Sequence, residues 1–327
     1  MLYDIIGDIH GRATLLEMLL KKLGYRRSAN GTYIAQNRTA IFIGDLIDRG
    51  NEQFKTVDIV RRMCDEGVAQ CIMGNHEYNA VRYATVIANP ATGVPPYRLF
   101  LQVHNKTNNW CHEAFMKEFG PVDSAQHQDV IGWFKTLPLF IDNGFKCVHA
   151  CWDPKAAGII REYNCHGEAS LTSESLYEAH FKDSPMFYAV KILIKGPETP
   201  LPYGVSYKDG AGIKRHVIRY KWWGGHFSNY LDASLGLNCS REIRHELSIT
   251  PFDNSKTVFY TPDSPVFFGH YWVECAKKGP VPFSKNVVCV DYGRQCEEML
   301  TAYVHEIGHK LSSDRFVQVS IPDSSEK

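Results

Sequence analysis

Apolar positions in the first quarter of the chain alternate between two rhythms. Leu2 to Ile6 forms a short run fit for a buried strand, and Leu15, Leu16, Leu19, Leu20 and Leu23 then recur on one helical face until Gly24 stops them. Ala40 to Ile43 reads as the next strand. A helix from about Glu52 to Glu66 sets Val57, Val60 and Cys64 on one side, Gly67 ends it, and Val68 to Met73 is a third strand. This β-α-β-α-β order predicts a parallel sheet flanked by helices, in which ligands collect beyond the carboxyl ends of the strands.

The rhythm changes after Glu77. Residues 78–135 carry no clear strand, while Ala80 to Ala88 and Asn109 to Glu118 read as helices on either side of a turn region from Asn89-Pro90 to Pro95-Pro96. A helical insertion is therefore expected over 78–135. Leu137 to Ile141 and Phe145 to Val148 flank Asp142-Asn143-Gly144 and predict a hairpin. Residues 151–262, rich in Gly, Pro, Tyr and Trp, show no sustained period beyond a weak alternation over Lys214 to Trp223, and read as a cap or excursion. Val266 to Phe268, Val287 to Val290 and Thr301 to Val304 return to strands, and the polar tail from Asp323 is expected to fray. The expected organisation is one domain, 1–327, carrying the insertion and the cap.

Three strings where strands run out carry the chemistry: Gly7-Asp8-Ile9-His10-Gly11, Gly44-Asp45-Leu46-Ile47-Asp48-Arg49-Gly50 and Gly74-Asn75-His76-Glu77. Their glycines permit tight backbone paths, and Asp8 and His10, two apart, point the same way from an extended backbone. Asp, His and Asn suit divalent cations, and Arg49 can clamp a phosphate, so the strings read as a two-metal phosphoester hydrolase. Two further histidines, His149 and His270, each end an apolar strand. Of the pairs Gly225-His226, Gly269-His270 and Gly308-His309, only Gly269-His270 directly follows a compact apolar strand.

Composition narrows the partners. Lys plus Arg and Asp plus Glu are both 36, so bulk charge gives no support for nucleic acid as the main partner. The 10 cysteines include no CxxC pair, and several lie in apolar runs, as reduced thiols of a cytosolic protein would. The chain enters its first strand without a leader pattern, and no stretch of about 20 apolar residues suits a membrane span. A cytoplasmic location and no membrane partner are expected. In the cap, Lys195, Lys214, Arg215, Arg219 and Lys221 stand near Tyr203, Tyr207, Tyr220, Trp222 and Trp223. They form either a wall for phosphate or a nucleobase, or a small aromatic core with a wet charged face.

The three strings, followed by strand-terminal His149 and His270, resemble the calcineurin-like metallophosphoesterases. Within these the match is to the phosphoprotein-phosphatase type and its bacterial relatives, which include diadenosine tetraphosphate hydrolases. The resemblance implies a four-layer α/β/β/α sandwich and two divalent metal ions, manganese foremost, with iron, zinc or nickel as alternatives. It makes Asp8 and His10 ligands of the first ion, Asp45 the bridge, and Asn75, His149 and His270 the completion of the second. Ions about 3.5 to 4 Å apart would share a hydroxide that attacks phosphorus in line. Arg49 would bind phosphoryl oxygens, His76 would be the general acid, Asp48 would orient its ring and raise its pKa, and Glu77 would be structural.

Departures bear on substrate. Met73 stands where Ser/Thr phosphatases usually carry Arg, Ala150-Cys151 where they carry Gly-Gly, and Glu77 where the tetraphosphate hydrolases often carry Asp. The leading expectation is hydrolysis of a phosphomonoester, in a phosphoprotein or a small phosphorylated compound. The alternative is hydrolysis of a dinucleoside polyphosphate. An inactive binding module is a remote third reading, since every expected ligand position is filled.

Overall fold

Strict alternation along the strands decides how the chain layers. In the computed structural model, which describes residues 1–87, 100–164, 169–208, 214–237, 239–257, 259–274, 279–293 and 297–322, three parallel strands come first: β1 (Leu2–Ile6), β2 (Arg38–Phe42) and β3 (Ala69–Cys71). A second sheet follows from β4 (Phe140–Asp142), β5 (Lys146–Val148), β6 (Val266–Phe268) and β7 (Val287–Cys289). The chain then returns to the first sheet with β8 (Glu297–His305) and β9 (Phe316–Pro322). The orders are β9-β8-β1-β2-β3 and β7-β6-β5-β4.

Every second side chain faces the other sheet. Ile5, Ile41, Ile43, Ile72 and Tyr303 meet Phe145, Cys147, Phe267, Val288 and Val290 in one sealed cluster. Their neighbours Ile6, Phe42, Cys71, Val148, Val266, Phe268, Val287 and Cys289 face outward into a second cluster shared with the helices. On the first sheet lie α1 (Ala13–Lys22) and α2 (Gln53–Asp65), burying Leu15, Leu16, Leu19, Val57, Val60 and Met63. After β3 come α3 (Asn75–Ala84), α4 (Lys106–Cys111), α5 (Glu113–Phe119) and α6 (Ala125–Thr136). Beyond β5 come α7 (Pro154–Tyr163), α8 (Ser173–Glu178) and α9 (Pro185–Lys195). Ala156, Ile160, Ala189 and Leu193 join Val148 and Phe268 in the outer cluster, which completes an α/β/β/α sandwich.

Several expectations need revision. The stretch 151–262 is not without helical period: it holds α7 to α9, α10 (Tyr230–Ala233) and α11 (Arg241–Ile249). Asp153-Pro154 and Ser184-Pro185 are the start signals, an N-cap that accepts backbone N–H bonds followed by Pro at the first helical position. The weak alternation near Lys214 is two short ribbon strands, Lys214–Arg215 and Val217–Arg219. The first sheet is mixed, because β8 runs antiparallel to β1 and pairs with β9, a strand hidden by its nearness to the polar tail. Helix α3 starts on the Gly-Asn-His-Glu string itself. Ala88, the turn region 89–96 and the tail from Asp323 lie outside the described residues. No helix among the described residues is long and apolar enough to cross a membrane.

Candidate metal centre

All the strings emerge from carboxyl ends of strands, β1, β2 and β3 from one sheet, β5 and β6 from the other. Their side chains converge because the backbone there turns left-handed: φ is 51° at His10, 53° at Asp45, 68° at Asp48, 70° at Arg49 and 72° at His270. Outside glycine such conformations cost on the order of 1 kcal/mol or more each, and persist where surroundings impose them. Glu77 is one source of that constraint. Fully buried, it accepts the backbone N–H groups of Asp45 (2.8 Å), Leu46 (2.8 Å) and Gly74 (2.9 Å), binding the second string to the third. Gly44 is required at the same seam: a Cβ there would lie 2.3 Å from the Gly74 nitrogen.

Asp45 is the centre. Its Oδ2 lies 3.7 Å from Nε2 of His10 and 3.7 Å from Nε2 of His76, and its Oδ1 lies 3.3 Å from Nε2 of His149. Asn75 Oδ1 is 3.1 Å from the same His149 nitrogen. Asp8 Oδ2 stands 4.0 Å from His10 Nε2, and Asp8 accepts the His270 N–H at 3.2 Å. The rings of His149 and His270 are 5.1 Å apart. Two groups of atoms suited to a metal ion result, His10 with Asp45 and His76, and Asp45 with His149 and His270, each set within 4.8 Å. Asp45 belongs to both. Asp8 and Asn75 border these groups, and His76 stands with His10 and Asp45 in the first of them.

The donor set fits divalent cations. His10 Nδ1 donates to the Ile47 carbonyl at 2.9 Å and His149 Nδ1 to the Ile43 carbonyl at 2.7 Å, a tautomer that turns each Nε2 toward Asp45. Burial, then Arg49 and His76, hold the His10 pKa well below its ordinary value, so a neutral nitrogen lone pair faces a carboxylate, acceptor against acceptor. His270 Nε2 is buried without a hydrogen-bond partner. Burial pushes Asp45 up, yet His149, His76 and His10 outweigh it and hold that carboxyl well below the usual range. Burial also depresses His149, but Asp45 and Asp8 lift it to about 10, so a proton answers the charge that a cation would otherwise meet. Asp8 is pushed well up by burial, with Asp291 and Asp45 adding to it.

Beside this centre His76 Nδ1 lies 2.6 Å from Asp48 Oδ2, and Asp45 and Asp48 together raise its pKa over the opposing effect of burial. Arg49 is exposed, and among the described residues it makes no ion pair. His226 and His309 stand outside both groups, His309 instead 3.6 Å from Glu306.

Two buried residues were not anticipated. His112, between α4 and α5, places Nδ1 3.1 Å from Asp48 Oδ1; a histidine within an insertion offers no sequence signal. Asp291 follows the β7 run and accepts the backbone N–H of Trp272, and burial raises it to about 6. Its place one residue beyond Val290 was the available clue.

The aromatic and basic residues of 195–223 divide between core and surface, with Tyr203 fully exposed. Trp222 and Tyr220 are buried, Trp223 stacks on Phe283 (5.1 Å), and Lys221 bonds the Asp232 carbonyl. Arg219 lies over the Tyr271 ring at 5.8 Å and, after burial, is the main influence depressing His270.

Among solved structures, the chain aligns with a protein serine/threonine phosphatase from Saccharomyces cerevisiae at 13% identity and TM-score 0.45, covering 98% of this chain and 79% of that one. A cold-active protein tyrosine phosphatase from Shewanella aligns at 13% identity and TM-score 0.41, covering 95% and 80%. Curated relatives include asymmetrical bis(5'-nucleosyl)-tetraphosphatases PrpE. That of Oceanobacillus iheyensis is 47% identical over 77 residues, 23% of this chain and 30% of the relative. That of Bacillus velezensis is 36% identical over 141 residues, 43% of this chain and 51% of the relative. The chain thus spans about half or less of these relatives' length. Over residues 1–196, which carry the three strings and His149, the sequence matches the family of calcineurin-like phosphoesterases. To that family this chain belongs.

Proposed function

We propose that this chain is a binuclear metal-dependent phosphoester hydrolase, with Asp8, His10, Asp45, Asn75, His149 and His270 as ligands and Asp45 shared. The observation that carries the reading is the Asp45 carboxylate, within 3.3 to 3.7 Å of three imidazole nitrogens. When bound, two divalent cations supply Lewis-acid polarisation of phosphoryl oxygens and a water acidified toward neutral pH. The chain's own residues do the rest. Arg49, exposed and unpaired among the described residues, binds the phosphoryl group. His76 holds a proton on Nε2 for the departing oxygen, and Asp48 fixes its ring and keeps it charged. The mixed Asp, His and Asn donors accept manganese, iron, zinc or nickel, and manganese is the leading candidate on the family resemblance.

For substrate, hydrolysis of dinucleoside polyphosphates has the support of the PrpE relatives. Phosphomonoester hydrolysis is the second reading, favoured by the free Arg49 and the intact His76–Asp48 pair. A cytosolic location accords with the free thiols of Cys71, Cys147, Cys151 and Cys289. Metal-loaded protein incubated with diadenosine tetraphosphate, nitrophenyl phosphate and a phosphopeptide separates the readings by product analysis. Cleavage of the monoesters alone would refute the polyphosphate reading, and cleavage of none would refute the hydrolase.

A further inference from the structure

The segment His270-Tyr271-Trp272 is built in a way that stability does not explain. Trp272 adopts φ 46°, a conformation that a bulky residue enters rarely and that glycine takes freely. Its side chain is nonetheless 55% exposed, and among the described residues no aromatic ring packs on it. A tryptophan in water at a left-handed position contributes little burial to offset its backbone conformation.

The surroundings hold it there. Tyr271, 2% exposed, is seated in the cap: a Cβ on Gly196, at the end of α9, would lie 2.0 Å from its hydroxyl, and one on Gly236 would lie 2.3 Å from its carbonyl oxygen. The buried Asp291 carboxylate accepts the Trp272 N–H, and the Asp291 carbonyl accepts the Val273 N–H at 3.0 Å. With Tyr271 anchored below and Asp291 clamping behind, the Trp272 ring is presented by its frame. Two residues of chain span at most about 7 Å, so its backbone stays beside that of the proposed ligand His270. The tryptophans of 151–262 are occupied, Trp152 and Trp222 by burial and Trp223 by stacking on Phe283.

We infer that Trp272 is a stacking platform at the rim of the metal centre for the nucleobase of a nucleotide substrate. The inference rests on the proposed phosphoester hydrolase and deepens it by naming what the leaving or retained group carries. Stacking on an indole tolerates any base, so it selects for a planar ring and leaves base identity open.

Equilibrium binding of AMP and of ribose 5-phosphate to the full, manganese-loaded chain tests this, since the two differ only in the base. The unaltered protein should bind AMP at least about tenfold more tightly, as one stacked base provides. Trp272→Gly, which relieves the backbone and removes the ring, should bring the ratio near one. Trp272→Phe should retain most of it, and ribose 5-phosphate affinity should be the same in all three. A preference that survives Trp272→Gly, or is absent from the unaltered protein, would overturn the inference. Hydrolysis of phosphoesters without any base preference would refute the platform alone; base preference without hydrolysis of any phosphoester would refute the proposed activity alone.

Discussion

His112 holds Asp48 from the side opposite His76, its Nδ1 3.1 Å from Oδ1 while His76 Nδ1 is 2.6 Å from Oδ2. The carboxylate is thereby pinned at both oxygens, and the insertion is tied to the proposed acid pair. His112 Nε2 is buried without a partner, its ring stacks on Phe115 at 4.7 Å, and Nδ1 donates to the Asp48 carboxylate. His112→Phe should keep the stack, lose the donor and lower kcat roughly tenfold, about 1.4 kcal/mol, with KM unchanged. His112→Asn, with an amide donor at a similar reach, should restore most of the rate. Equal loss in both variants would assign His112 to packing.

The raised pKa of His76 gives a pH dependence with a definite sign. Burial lowers it, and Asp45 and then Asp48 more than reverse this, so the imidazolium persists above the ordinary value near 6.5. A general acid must be protonated, so kcat should hold on the acid side and fall as pH rises through the raised pKa. Asp48→Asn should move that alkaline limb to lower pH. His76→Asn should abolish the limb and cost about 10² to 10⁴ in rate. An unchanged limb in His76→Asn would assign the proton to another group.

Because Asp45 belongs to both groups of metal-binding atoms, its loss differs from that of any other ligand. Asp45→Asn should lower the occupancy of both ions and abolish turnover, whereas His270→Ala should deplete one ion preferentially. Metal content per chain, measured by elemental analysis after gel filtration, distinguishes these outcomes.

Glu77 is a prediction about stability. Glu77→Ala strips an acceptor from the buried N–H groups of Asp45, Leu46 and Gly74 and should cost about 3 to 5 kcal/mol. Glu77→Gln keeps one acceptor oxygen but turns an amide donor toward the others, and should fall between. Denaturant midpoints at constant slope provide the measurement.

What the sequence disclosed follows the range of the forces involved. Leu15, Leu16, Leu19 and Leu20 bury together because adjacent turns bring them to one face, a relation readable within a dozen residues. Asp8, Asp45 and Asn75 were legible because each closes a strand whose neighbours are set by short crossovers. His112 was not, since its contact with Asp48 joins positions 64 apart through an insertion without sheet register. Helices α7 and α9 hid behind the Gly- and Pro-rich connections around them, although Pro154 and Pro185 marked their starts. Strand β9 depends on pairing that the chain makes only at its far end, and Asp291 on accepting the N–H groups of Trp272 and Val273.

The sealed layer between the sheets has a consequence for the metal centre. Asp8, His10, Asp45 and Asn75 ride on one sheet, His149 and His270 on the other, so the thickness of that dry layer is the gauge that spaces the ligands. Ile41, Ile43, Phe145 and Phe267 act as shims. A slimmer side chain among them, Phe267→Leu for instance, leaves every ligand in place by name yet lets the two sheets settle toward each other. Metal affinity should then drift in a variant whose substitution touches no ligand, and a search for residues that tune the ions should begin in this interior.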